Sequence, residues 1–172
     1  MRFILAATLA SIAMMIMVGQ TMGMNEIGVK LNFSQVPVEF TCLGKNISPE
    51  IGLSGVNATT LALILDDPDA PMGTFTHWIM WNIKPVSIIP EAIPNASNLE
   101  DPIVAVQGVN GAGKIGYIGP CPPPGKPHRY FFRVYGLDST LDLKAGSNRS
   151  QLETAMKGHI LQEGEAVATF GR

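Results

Sequence analysis

Charge is scarce in this chain. Only 12 of its 172 residues are Lys or Arg and 14 are Asp or Glu, for a net charge of −2. No basic stripe is present, which leaves no basis for nucleic-acid binding. Potential carriers of chemistry are also few, with three histidines, two cysteines and two tryptophans. Two cysteines, Cys42 and Cys121, cannot build a disulfide framework. They could form one bridge in an oxidising compartment, or remain as part-buried thiols. There is no internal repeat and no block of like charge. What the chain does have is glycine and proline, 18 and 13 of them, which points to many turns and few long helices. Apolar residues make up 46% of the chain, too many for disorder. The length suits one domain with a sizeable core.

The opening segment has the layout of an export signal. Arg2 is followed by an uncharged apolar run from Phe3 to Val18, then by small and polar residues from Gly19 to Gly23. Residues 1–23 are therefore expected to be a cleaved signal peptide or an N-terminal membrane anchor, and residues 24–172 the folded domain. Five N-x-[ST] triplets begin at Asn32, Asn46, Asn57, Asn95 and Asn148. Asn32, Asn57, Asn95 and Asn148 are candidate glycosylation sites, whereas a proline follows the triplet at Asn46. Both features predict an exported protein, secreted or anchored outside the cytoplasm.

The rest reads as short strands broken by turns. Leu61–Asp67 alternates so that Leu61, Leu63, Leu65 and Asp67 share a face. His77–Ile83 is apolar on both faces, as in a strand buried on both sides. Ile103–Val109 is another candidate strand. In His128–Leu137 the period of two groups His128, Tyr130, Phe132 and Val134 together. One helix is expected, capped by the box Ser150-Gln151-Leu152-Glu153. Leu152, Met156 and Ile160 follow at helical spacing, and Gly164 ends it. Ala166–Phe170 returns as a last strand. The expectation is a mainly β, sandwich-like core with a minor helical element.

Two segments stand out chemically. In Asp66-Asp67-Pro68-Asp69-Ala70-Pro71, followed by Gly73 and then His77-Trp78, two prolines stiffen a turn that could hold a carboxylate at a strand end. The plainer reading is an acidic surface turn. In Gly116-Tyr117-Ile118-Gly119-Pro120-Cys121-Pro122-Pro123-Pro124-Gly125, followed by His128-Arg129-Tyr130, a preformed loop could bring its backbone to a ligand. Here the plainer reading is a proline-rich connector.

Together these segments, DPDAP…HW and GYIGPCPPPG…HRY, resemble the signatures of the phosphatidylethanolamine-binding proteins, also called the Raf kinase inhibitor protein family, in its bacterial and archaeal branch. The resemblance runs from about Val29 to Gly171. It implies an antiparallel β-sandwich, a large sheet on a smaller one with one or two short helices and a shallow pocket at one end. It also implies a phosphate-like or carboxylate-like ligand. By motif position, Asp67, His77, His128 and Tyr130 would bind it, with Gly119, Pro120 and Cys121 as the rim. Asp69, Pro71, Trp78 and Pro122 would support them, with cis peptide bonds at Pro71 or Pro122. Two imidazoles, a phenol and the N–H of Cys121 could serve an anion, and Asp67 could hold an imidazole cationic. The family's C-terminal helix is expected to be missing, since the sequence stops soon after the last strand.

The leading expectation is a non-catalytic binder of a small anion or phospholipid headgroup, without a cofactor and touching membrane only through its N-terminal segment. The alternative is a protein inhibitor or regulator, of a serine protease or kinase, and a homodimer is conceivable. An enzyme built on Cys121, His128 and Asp67 is disfavoured because Cys121 lies between prolines, with no helix N-terminus to lower its pKa. Asp67, His77 and His128 lack compact metal-ligand spacing. His159 reads as structural.

Overall fold

The computed structural model describes residues 25–172; the expected signal or anchor, residues 1–23, lies outside them. Ten strands and one α-helix follow in chain order: β1 (Asn25–Glu26), β2 (Gly28–Lys30), β3 (Ile51–Ser54), β4 (Thr60–Asp67), β5 (Phe75–Ile83), β6 (Ile88–Ile89), β7 (Asn98–Leu99), β8 (Ala105–Gln107), β9 (His128–Leu137), α1 (Arg149–Met156) and β10 (Ile160–Phe170). They form a seven-stranded sheet in the order β1-β10-β9-β4-β5-β8-β7 and a three-stranded sheet in the order β2-β3-β6. All pairings are antiparallel except that of β1 with β10.

The centre of the large sheet is β4, whose eight residues are all buried. Its alternation feeds two cores. Leu61, Leu63 and Leu65 enter the inter-sheet core with Trp78, Met80, Phe132 and Val134. Ala62 and Ile64 enter an outer layer with Ile79, Trp81 and the helix residues Leu152 and Met156. A run apolar on both faces suits a strand covered on both sides. Trp78 donates its indole N–H to Gln107 at 2.6 Å, and Gln107 donates in turn to the Pro94 and Ala96 carbonyls at 2.7 Å. The buried amide is thereby satisfied, and it fixes β5 to β8 and to the loop before β7.

Three expectations need correction. The capping box lies two residues upstream of the expected one. Asn148 is the N-cap and accepts the Gln151 N–H at 3.0 Å, while Gln151 accepts the Asn148 N–H at 2.9 Å. The helix stops at Met156, well before Gly164, because Gly158 takes φ +83° and turns the chain. Ile160 therefore opens β10 and does not extend the helix. Finally, the cis peptide bond among the described residues is Asp101–Pro102 and involves neither Pro71 nor Pro122.

Candidate functional site

Antiparallel pairing places the end of β4 beside the starts of β5 and β9. Asp66 and Asp67 close β4 and face opposite ways. Asp66, on the outer face, meets Arg149 of α1 at 2.7 Å and Arg133 at 3.5 Å. Asp67 faces the inter-sheet side, and both its oxygens are engaged. Oδ1 accepts the Asp69 N–H at 2.8 Å, the local turn such a side chain favours, and Oδ2 accepts from His128 Nδ1 at 2.8 Å. The turn is clamped to β9 by Asp69, which takes the Arg129 backbone N–H at 2.9 Å and a bidentate guanidinium contact at 2.7–2.9 Å. That contact holds the Asp69 carboxyl well below the usual carboxylate range.

His77 arrives by a different route. Strict alternation would place it with Ile79 and Trp81 on the outer face. The ladder instead pairs Leu65 with Trp78 and Asp66 with Thr76, leaving His77 as the extra residue of a β-bulge. The bulge turns its side chain to the inter-sheet side. There its ring lies edge-on to Phe75 and Tyr130, at centroid separations of 4.8 and 5.3 Å. His77 Nδ1 donates to the Ile118 carbonyl at 2.7 Å, and the Ile118 N–H returns to the His77 carbonyl at 3.0 Å. Burial pushes the His77 imidazole below its ordinary range, against the opposing pull of the Ile118 carbonyl and the Asp67 charge.

These residues enclose a cavity of about 200 Å³ lined by Asp67, His77 and His128, by Ala70, Pro71 and Phe75, and by Ile118, Cys121, Pro122 and Pro123 of the loop before β9. It is smaller than the ~300–1,000 Å³ usual for drug-sized ligands. A wider groove of about 530 Å³ on the outer face is lined by Glu26, Glu163 and Glu165 with Arg133 and Tyr135. It carries three carboxylates against one guanidinium and none of the histidines.

Asp67, His77, His128, Cys121, Pro71 and Pro122 are thus brought together, whereas Tyr130, Gly119 and Pro120 do not line the cavity. Tyr130 lies beneath it, fully buried, and its hydroxyl has no hydrogen-bond partner among the described residues. Burial pushes this phenol well above its usual range. Gly119 and Pro120 back the rim. A Cβ on Gly119 would fall 2.3 Å from the Phe40 carbonyl, so only glycine fits there. Asp69 and Trp78 act from behind, through the Arg129 clamp and the inter-sheet core. Cys121 is bonded to Cys42, with Cα atoms 5.4 Å apart, so its sulfur offers no thiolate. Among the described residues no cluster of His, Cys, Asp and Glu is arranged to hold a metal ion.

Residues that the sequence reading did not place at the site hold the rim loop in position. Asn95 accepts the Tyr117 N–H at 2.9 Å and donates to the Tyr117 carbonyl at 3.3 Å. Asn46 accepts the Gly119 N–H at 2.7 Å, the Tyr117 hydroxyl donates to the Phe40 carbonyl at 2.6 Å, and Arg172 Nε donates to the Pro122 carbonyl at 2.7 Å. Two of the five glycosylation triplets therefore start at asparagines whose side chains are structural clamps. The one available signal was the proline that follows the triplet at Asn46.

A large sheet on a small one, with a carboxylate and two imidazoles converging where three strands meet, defines a class of β-sandwich with a small, mostly apolar cavity at one end that carries these three polar side chains. The chain belongs to the phosphatidylethanolamine-binding protein family, whose model matches residues 28–171. It is 52% identical over 140 residues to a UPF0098 protein of Pyrococcus horikoshii, covering 80% of this chain and 71% of that one. Among solved structures, a phosphatidylethanolamine-binding protein homologue from Chlamydia trachomatis superposes with a TM-score of 0.77 at 38% identity, covering 86% of this chain and 99% of that one. E. coli YbcL, described as a member of the mammalian family, gives the same TM-score and coverages at 28% identity.

Proposed function

We propose that this protein binds a small anion, a phosphate or carboxylate group free or on a phospholipid headgroup, in the cavity formed by Asp67, His77 and His128, and makes or breaks no bond in it. One observation carries the reading. Both imidazoles are anchored through Nδ1, and each lines the same cavity with its Nε2 unpartnered among the described residues. Two fixed rings that become paired donors on protonation suit a tetrahedral or planar oxyanion. The disulfide, the apolar opening segment and the remaining N-x-[ST] triplets support action outside the cytoplasm.

The pH dependence follows from His77. Its imidazole is depressed below the ordinary value of about 6.5, so near pH 8 the ring is neutral and gains its proton only as pH falls below that value. Protonation adds a donor and a positive charge, so phosphate affinity rises on acidification. Calorimetric titration with inorganic phosphate is expected to give tighter binding at pH 5.5 than at pH 8, and His128→Ala is expected to weaken binding at both. Equal affinity at the two pH values would sink the reading.

A further inference from the structure

The N-x-[ST] triplets are a motif that the cavity does not use, and the fold sorts them into two kinds. At three of the five the asparagine side chain is already engaged. Asn46 accepts the Gly119 N–H, and Asn95 accepts the Tyr117 N–H while its amide nitrogen donates to the Tyr117 carbonyl. Asn148 caps α1 by accepting the Gln151 N–H. The residues that complete these triplets are tied down as well. Ser48 is 1% exposed, and its hydroxyl accepts the Ile93 N–H at 2.9 Å. The Ala96 N–H donates to the Pro94 carbonyl and the Ser97 carbonyl accepts the Gln107 N–H. Arg149 and Ser150 form the first turn of α1.

Asn32 and Asn57 differ. Both are exposed, and among the described residues neither side chain makes a hydrogen bond; Asn57 uses only its backbone N–H, on Gln162 at 2.6 Å. The hydroxyl residues of their triplets, Ser34 and Thr59, are exposed too and engage only through the backbone. Both triplets lie between elements, residues 32–34 after β2 and residues 57–59 between β3 and β4. An enzyme can therefore reach them without unravelling a ladder or a helix. In the β2–β3 pair Lys30 stands opposite Gly52 and Gly28 opposite Ser54. Asn32 and Asn57 thus lie beyond opposite ends of that pair, flanking the small sheet, and neither lines the cavity.

We infer that the folded domain is N-glycosylated at Asn32 and Asn57 and at none of the other three triplets. The inference rests on the reading that the protein acts outside the cytoplasm. The donor is a glycan carried on a polyprenyl phosphate. The asparagine amide nitrogen attacks the anomeric carbon, and the new N–C bond forms as the C–O bond to the phosphate breaks. The amide gives up one proton, and the lipid phosphate leaves with the electron pair. At Asn95 the same attack would first have to draw the amide nitrogen off the Tyr117 carbonyl and loosen the rim loop.

The test is peptide mass spectrometry of the protein purified from its own host, with the compartment of recovery recorded. Glycans are expected on Asn32 and Asn57, with Asn46, Asn95 and Asn148 unmodified. Asn32→Gln and Asn57→Gln are each expected to remove one of the two glycans from the intact mass. In unglycosylated protein from a heterologous host, both variants are expected to keep the parent urea midpoint. A lowered midpoint would show that the side chain is in use, and overturns the inference at that site. Protein recovered outside the cytoplasm but bare at Asn32 or Asn57, or carrying a glycan at Asn46, Asn95 or Asn148, overturns the inference and leaves the anion reading standing. Recovery from the cytoplasm alone overturns the reading of action outside it and the inference together.

Discussion

Tyr130 shows how a single side chain beneath the cavity can carry an unmet polar group. Its ring packs edge-on against His77 in the inter-sheet core, yet its hydroxyl is buried without a partner. An unmet buried hydroxyl costs about 1–3 kcal/mol. Removing it is therefore expected to help the empty protein. Tyr130→Phe is expected to raise stability by about 1 kcal/mol in urea unfolding at neutral pH, because the ring and its packing stay. A loss of stability would mean that the hydroxyl is satisfied in solution, for instance by water. Asn95 makes the complementary case. Its amide nitrogen donates to the Tyr117 carbonyl, and a glycan on that nitrogen would compete with the clamp. The sequence motif at Asn95 is intact, but its side chain is in use.

At the scale of elements, the local rules were most legible where a period repeats. β4 and β9 can be read from alternation almost to the residue. The inward face of β9, His128, Tyr130, Phe132 and Val134, is the buried face. The helix was legible in place but not in extent. Leu152 and Met156 bury its apolar side, while the turn at Gly158 ends it sooner than apolar spacing alone suggests. The cap also depends on detail, since Ser150 and Asn148 are both good cap residues and the backbone selects Asn148. Asn148→Ala is accordingly expected to cost about 1 kcal/mol of stability by denaturant midpoint. Ser150→Ala is expected to cost little, since Ser150 lies inside the helix. Equal losses would place the cap elsewhere. His77 was legible only through the family motif, because a one-residue bulge reverses the face that alternation assigns. The clamps from Asn46 and Asn95 left no trace in periodicity, since a side chain bonded to a distant backbone group obeys no repeat.

At the scale of the molecule, the rim loop before β9 is where distant parts of the chain meet. Asn46, Phe40, Asn95 and Arg172 all hold it, and the Cys42–Cys121 bond closes a sequence separation of 79 residues. In the chain-entropy view, a cross-link over a loop of that length stabilises by restricting the unfolded chain, by about 4 kcal/mol. The bonds from Asn46, Tyr117 and Arg172 do not depend on the sulfurs. Replacing both cysteines, Cys42→Ser with Cys121→Ser, should therefore lower stability without dismantling the cavity. The expected result is a lower urea midpoint, by up to about 4 kcal/mol, with far-ultraviolet circular dichroism unchanged. Phosphate affinity in the double variant should fall only modestly, because Cys121 lines the cavity with a sulfur that neither donates nor carries charge. A complete loss of binding in a folded variant would show that the disulfide itself, rather than the hydrogen-bonded loop, sets the position of the two imidazoles.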